Sequence, residues 1–359
     1  MPNSAARSGG VFELADWQFL GATVPGSSHL RQDLPNQDSW LGKKSEQGLV
    51  LAVSDGHGSA QCFRSEIGSR FAVEVFADLL SDFLAGSYGE DLSDAGEDLT
   101  LIKRLAEERL PRQLSREWEI RVLNYHQAHP VADTEWQRLA ELRGEAAVER
   151  LHQHPLLIYG ATLVGAVITP RYIMYLQLGD GEILDADQSG QMTDVMPPDE
   201  RLIANETTSL CRPEAWRDFR FRFQVLSSAT PILILLTTDG YFNSFRERSG
   251  FYQVGSDLLQ MLRSEGPEWI QTQLPDWLSE ATAAGSGDDA TLALAWYQPG
   301  LAHLPIIDTA EPEEVPVEPE SEVEPLAEVE PIAEVLNANE TDDPSLDDRV
   351  EDETILKLN

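Results

Sequence analysis

The sequence is short of cysteine, of positive charge and of long apolar runs, and each shortage excludes something. Only Cys62 and Cys211 occur, which is neither the number nor the spacing of a disulfide framework or a thiolate zinc site. A reducing cytoplasm suits such a chain. Lysine and arginine together number 26 against 62 aspartates and glutamates, a formal net charge of -36. Nucleic-acid backbones and anionic membrane surfaces would be repelled over most of the surface, so neither is an expected partner. Apolar runs such as 232 to 236 are far too short to span a bilayer, and residues 1 to 10 lack the apolar core of a signal peptide.

What is present divides at about Leu301. Beyond it aromatic residues vanish, and Glu-Val-Glu-Pro-Leu-Ala is followed at once by Glu-Val-Glu-Pro-Ile-Ala. Pro312, Pro316, Pro319, Pro325 and Pro331 oppose helix and sheet pairing. The tail carries about 19 acidic and 2 basic residues, so burial cannot repay the entropy of ordering it. The expectation is a folded domain over residues 1–300 and a disordered acidic tail over 301–359. That tail serves either as a solubilising linker or as a segment that regulates the site or docks a partner.

Ahead of the tail, hydrophobic content of 42% over the chain suffices for a core. Short β-branched apolar runs predict strands over 48–54, 161–169, 172–178, 219–226, 231–237 and 291–297. Apolar residues at Ile67, Phe71, Val75 and Leu79, with Ala72, Phe76, Leu80 and Phe83 beside them, predict a helix over 65–84 with one wide buried face. Further helices are expected over 99–124, 134–152, 256–263 and 267–283, with Pro111 starting or kinking one. The helical region from about 88 to 154 reads as an insertion, inert and solvated rather than shaping substrate access.

Four turns place aspartate beside glycine at the ends of apolar strands: Asp55-Gly56, Asp180-Gly181, Asp239-Gly240 and Gly287-Asp288. Singly each is a turn signal. Together they gather carboxylates that repel one another unless a cation sits among them, and hard oxygen donors favour magnesium or manganese. Two such ions lower the pKa of a water and offset phosphoryl charge, which suits metal-assisted hydrolysis.

The ordered set Pro35-Asn36-Gln37-Asp38, Asp55-Gly56-His57-Gly58, Tyr159-Gly160-Ala161-Thr162, Leu178-Gly179-Asp180-Gly181, Thr238-Asp239-Gly240 and Gly287-Asp288-Asp289 resembles the metal-dependent protein phosphatases, the type 2C serine/threonine phosphatases, and within them a bacterial subgroup. The resemblance implies an α+β fold, a four-layer α-β-β-α sandwich of two antiparallel sheets flanked by helices. It implies two Mn2+ or Mg2+ ions and a third, weaker one. Asp55 would bridge two ions, the Gly56 carbonyl would bind one, Asp239 and Asp288 would hold the other, Asp180 would serve the third, and Gln37 would act through water. His57 would be the general acid, with Asp38 hydrogen-bonding a bound water.

Two departures accompany the match. Gln37 is neutral where many relatives are acidic, and Asp33 stands where many carry a phosphate-binding arginine, leaving Arg31 and His29 as the candidate phosphate contacts. Asp289 reads as structural, and His126, His129, His152 and His154 as solvated surface residues. The implied activity is hydrolysis of phosphoserine and phosphothreonine on proteins, with a cognate serine/threonine kinase as an expected partner. The alternatives are a catalytically dead phosphatase-fold adaptor that binds phosphoproteins and a hydrolase of small phosphate esters.

Overall fold

The structure is a computed structural model that describes residues 13–86, 98–197, 208–226 and 230–304. The expected tail lies outside the described residues from 305 onward. Among the described residues two five-stranded antiparallel sheets form. One has the order β1 (Trp17–Val24), β10 (Ala290–Tyr297), β9 (Leu233–Thr237), β6 (Glu182–Ala186), β7 (Met192–Asp194). The other has the order β2 (Ser39–Lys44), β3 (Leu49–Ser54), β4 (Leu163–Ile168), β5 (Tyr172–Leu178), β8 (Arg220–Val225).

Side chains alternate across a strand, and that period divides the core into three. In β3, Leu49, Leu51 and Val53 face the opposite sheet and meet Ile183, Ile234, Leu236, Ala293 and Ala295. Val50 and Ala52 point the other way, under α2 (Ser65–Leu84) and α3 (Leu99–Ala128). The outward residues of β9 and β10, Leu233, Leu235, Leu292 and Leu294, are covered by α7 (Arg248–Ser264) and α8 (Pro267–Ala284). The result is the expected α-β-β-α sandwich.

The expected insertion is not an inert excursion. Ile102, Ala106, Leu110, Leu114, Trp118 and Val122, each four residues after the last, pack α3 into the same core cluster as α2, and Trp118 Nε1 donates to the Gly68 carbonyl at 2.9 Å. Pro111 lies inside this helix and does not start it. The single helix expected over 134–152 is two, α4 (Asp133–Arg143) and α5 (Glu145–Gln153), broken where Gly144 takes φ +80, a conformation L side chains avoid. Between α6 (Asp239–Phe242) and β10, α7 begins at Arg248, eight residues before the predicted start. Strands β1, β2, β6 and β7 are not among the expected ones. Among the described residues no helix is long and apolar enough to cross a membrane.

Candidate metal centre

The register of the two sheets brings the acidic turns to one end. Thr237, the last residue of β9, pairs with Glu182 at the start of β6 and with Leu292 near the start of β10. Asp239, Asp180 and Asp288 lie just beyond these positions. In the other sheet Val53 pairs with Val164 and Leu163 with Leu178, which places Asp55, following β3, beside the β5–β6 connection that carries Asp180. Asp55, Asp180 and Asp239 each offer a carboxylate oxygen, all within 4.8 Å of one another. Asp288 lines the same cleft of about 1260 Å³.

Burial and mutual repulsion make this cluster hard to ionise without a cation. Burial pushes Asp55 well above the usual carboxylate range, and the charges of Asp38, Asp239, Asp288 and Asp180 push it further. Asp239 is raised to about 7 by burial and by Asp180 and Asp288. Asp38 is raised to about 8 by burial, although Thr238 and Thr291 donate hydroxyls to it at 2.6 and 2.7 Å. Its Oδ1, Oδ1 of Asp180 and Oε1 of Gln37 are buried with no protein hydrogen-bond partner. Oxygen donors of this kind, crowded and partnerless, fit hard divalent ions.

The loop bearing Asp55 is held by the 159–162 segment. Thr162 accepts the Asp55 N–H on its hydroxyl at 3.0 Å and donates its own N–H to the Asp55 carbonyl at 2.8 Å. The His57 N–H donates to the Gly160 carbonyl at 3.0 Å. At Gly56 a side chain is impossible, because a Cβ would lie 2.5 Å from the Gln37 carbonyl oxygen and 2.7 Å from that of Ser65. His57 forms part of the cleft wall. Its pKa lies below the ordinary value because burial disfavours the charged ring and the nearby Arg212 adds to this, against the pull of Asp180.

Other predicted residues take different places. Asp289 accepts the N–H groups of Gly26 at 2.7 Å and Gln37 at 2.6 Å, tying two loops together. His29 lies against it, Nδ1 to Oδ1 2.8 Å, and Nε2 is 3.8 Å from Asp288. His29, Asp288 and Asp289 thus form a second compact group. Arg31 donates to the hydroxyls of Ser27 and Ser28, and neither it nor His29 lines the cleft. Asp33 ends helix α1 (Ser27–Gln32) with φ 54. Among the histidines expected at the surface, His126 is half-buried, 3.1 Å from the Tyr159 hydroxyl. The cations on the cleft wall are Arg150 and Arg212. No motif or spacing in the sequence singles them out, because one comes from the end of an exposed helix and the other from an irregular turn.

The model of the protein phosphatase 2C family matches residues 25–279, and the chain belongs to that family of metal-dependent protein serine/threonine phosphatases. Among solved structures it is similar to a bacterial serine phosphatase, at 18% identity over 78% of this chain and 97% of that one with a TM-score of 0.46. It is also similar to the serine/threonine phosphatase Stp1 from Staphylococcus aureus, at 16% identity over 82% and 99% with a TM-score of 0.45. The catalytic domain of the phosphatase PstP, solved with two manganese ions, is 14% identical over 78% and 97% with a TM-score of 0.44. A search of curated protein sequences returns no match.

Proposed function

We propose that this chain is an active, metal-dependent phosphatase that hydrolyses phosphoserine and phosphothreonine on proteins, with residues 1–300 as catalytic domain and 301–359 as tail. The observation that carries the reading is the approach of Asp55, Asp180 and Asp239 within 4.8 Å at the floor of an open cleft. Such crowding has no packing value and strong electrostatic cost unless cations occupy it. An adaptor with no need of chemistry would have no reason to retain it.

In this reading Asp55, the Gly56 carbonyl, Asp239 and Asp288 hold two Mn2+ or Mg2+ ions, Asp180 serves a third, and Gln37 acts through water. When bound, the ions supply Lewis-acid activation of the attacking water and offset phosphoryl charge. The chain's own residues do the rest. Asp38, fixed by Thr238 and Thr291, keeps one oxygen unpartnered to orient water. His57 on the cleft wall gives a proton to the departing serine or threonine oxygen. Arg212 and Arg150, in place of the arginine missing at 33, face the phosphoryl group as the cleft's cations. The family and the low cysteine content support a cytoplasmic enzyme acting opposite a cognate serine/threonine kinase.

The test is manganese-dependent release of phosphate from a phosphothreonine peptide, compared with an aryl phosphate, together with calorimetric titration of the ion. Turnover of both with peptide preferred supports the reading. Ion binding without any turnover would favour the adaptor, and turnover of the aryl ester alone would favour a small-ester hydrolase.

A further inference from the structure

Beside the cleft lies a second cavity of about 710 Å³, walled by α3, α5 and the turn from 210 to 217. The two are contiguous, since Arg150, Leu157, Cys211, Arg212 and Pro213 line both. In a chain of net charge -36, this cavity collects four arginines, Arg112, Arg116, Arg150 and Arg212, against Glu119 and Glu214. Glu214 is engaged elsewhere, 2.8 Å from Arg217. The guanidinium of Arg112 lies over Trp216, 4.0 Å from the ring centroid, a cation–π contact in that wall. Among the described residues, no hydrogen bond or ion pair is formed by the guanidinium of Arg116, Arg150 or Arg212.

Three exposed arginines without acidic partners are unexpected on a chain with more than twice as many acids as bases. The net charge of the chain repels an anionic substrate, and the arginines shared between this cavity and the cleft oppose that repulsion locally. Guanidinium forks match carboxylate and phosphate oxygens in pairs. Leu123, Leu156 and Leu157 add apolar surface for the stem of such a side chain. We propose that this cavity is a specificity subsite for a second anionic side chain, carboxylate or phosphate, carried by the same peptide as the phosphoresidue in the cleft. The proposal deepens the reading of the cleft as a phosphoprotein phosphatase and rests on it.

The test uses the full chain with manganese and phosphothreonine peptides carrying two aspartates stepped along either side of the phosphoresidue, with asparagine counterparts and a second set bearing phosphoserine instead. The kcat/KM ratio of acidic over neutral peptide is read within each protein, so changes common to both peptides cancel. A ratio of about 10, the size of one charge-assisted hydrogen bond, is expected at one register. It should persist in Arg116→Lys, fall to about 2 or less in Arg116→Gln, and fall below 1 in Arg116→Glu, where the new carboxylate repels the acidic peptide. The aspartate and phosphoserine sets distinguish a carboxylate from a phosphate preference. Equal ratios in all four proteins would overturn the subsite while leaving the phosphatase reading intact.

If no peptide is hydrolysed, it is the phosphatase reading that fails, and the subsite is still tested by calorimetric binding of the unphosphorylated acidic peptide. Affinity should fall about 10-fold or more in Arg116→Glu and weaken steeply with salt. Unchanged binding in that variant would overturn the proposal. So would inorganic phosphate binding that depends on Arg116 alongside equal affinity for acidic and neutral peptides, the behaviour of a small-anion site.

Discussion

The hydroxyl of Thr238 donates to the Asp38 carboxylate at 2.6 Å, joining the residue before α6 to the loop before β2 across 200 positions of sequence. Thr291, the second residue of β10, donates to the same oxygen at 2.7 Å. Asp38 is therefore held by two hydroxyls, one just past the end of β9 and one at the start of the neighbouring β10. Thr238→Val keeps the shape of the side chain and removes a donor to a buried carboxyl group. A loss of about 1.5–3 kcal/mol is expected, read as a lower denaturation midpoint, with Thr238→Ser restoring most of it. An unchanged midpoint in the valine variant would mean the bond contributes nothing.

Asp239 and Asp289 should respond in opposite ways to the same change. Asp239→Asn removes charge from a crowded cluster, so manganese affinity and turnover should be lost while the metal-free protein melts no lower than before, and Asp55→Asn should behave alike. Asp289→Asn leaves one acceptor oxygen for two N–H donors, Gly26 and Gln37. It should cost about 1–3 kcal/mol of stability. Calorimetry of manganese binding and thermal melting, applied to all three variants, separate the roles. A metal-binding defect without a stability defect in Asp289→Asn would reverse the assignment.

Asp55, Asp180 and Asp239 were legible because glycine beside aspartate at a strand end is a local signal, and antiparallel pairing brings such ends together. Helix α2 was legible from one wide apolar face with the period of a helix. Asp38's partners were not, because Thr238 and Thr291 look like ordinary strand-end threonines until β9 and β10 are laid side by side. Strand β2, Ser39–Lys44, is half-buried at a sheet edge and carries two lysines, so no apolar run announces it. The place of α3 in the outer layer was obscured by its charge, which lies on the face away from Leu110, Leu114 and Trp118.

Without divalent ions the protein should lose stability as pH rises through neutrality. Free aspartates titrate at about 3.9 in an unfolded chain, whereas Asp239 and Asp38 are raised to about 7 and about 8 in the fold. Between these limits the native state holds protons that the unfolded chain has released. The stabilisation is complete below the unfolded value and is lost as pH rises through the two folded values, at about 1.4 kcal/mol per pH unit for each proton held. Denaturant midpoints from pH 5 to 9 in chelator should fall accordingly, and manganese should flatten the slope by replacing the protons. A rising midpoint in chelator would show that the cluster ionises freely.

Arg64 fastens the helical insertion to the start of α2. Its guanidinium donates to both carboxylate oxygens of Glu135, at 3.0 and 2.8 Å, and to the carbonyls of His129 and Pro130. Arg64→Ala strands these acceptors and should destabilise the protein by about 1–3 kcal/mol, with faster proteolysis in the turn between α3 and α4. Arg64→Lys keeps the charge but loses the fork, and should recover only part of the loss. Equal proteolysis rates in all three proteins would show that α4 and α5 are anchored by packing alone.

The sharpest test of the chemistry is His57. Its backbone is pinned by Gly160 and its ring forms part of the cleft wall, so a role in ordering the loop and a role in proton transfer both fit its position. The two differ in how they depend on the leaving group. A serine or threonine alkoxide is strongly basic and leaves only with a proton, whereas an activated aryl oxide leaves without one. His57→Ala should therefore lower kcat on a phosphothreonine peptide by about 10²- to 10⁴-fold, the usual worth of general acid help, and lower it far less on an activated aryl phosphate. Manganese affinity, measured by calorimetry in the same variant, should stay close to that of the parent. Equal losses on both substrates, accompanied by weaker ion binding, would assign His57 to holding the Asp55 loop and leave the proton to another group.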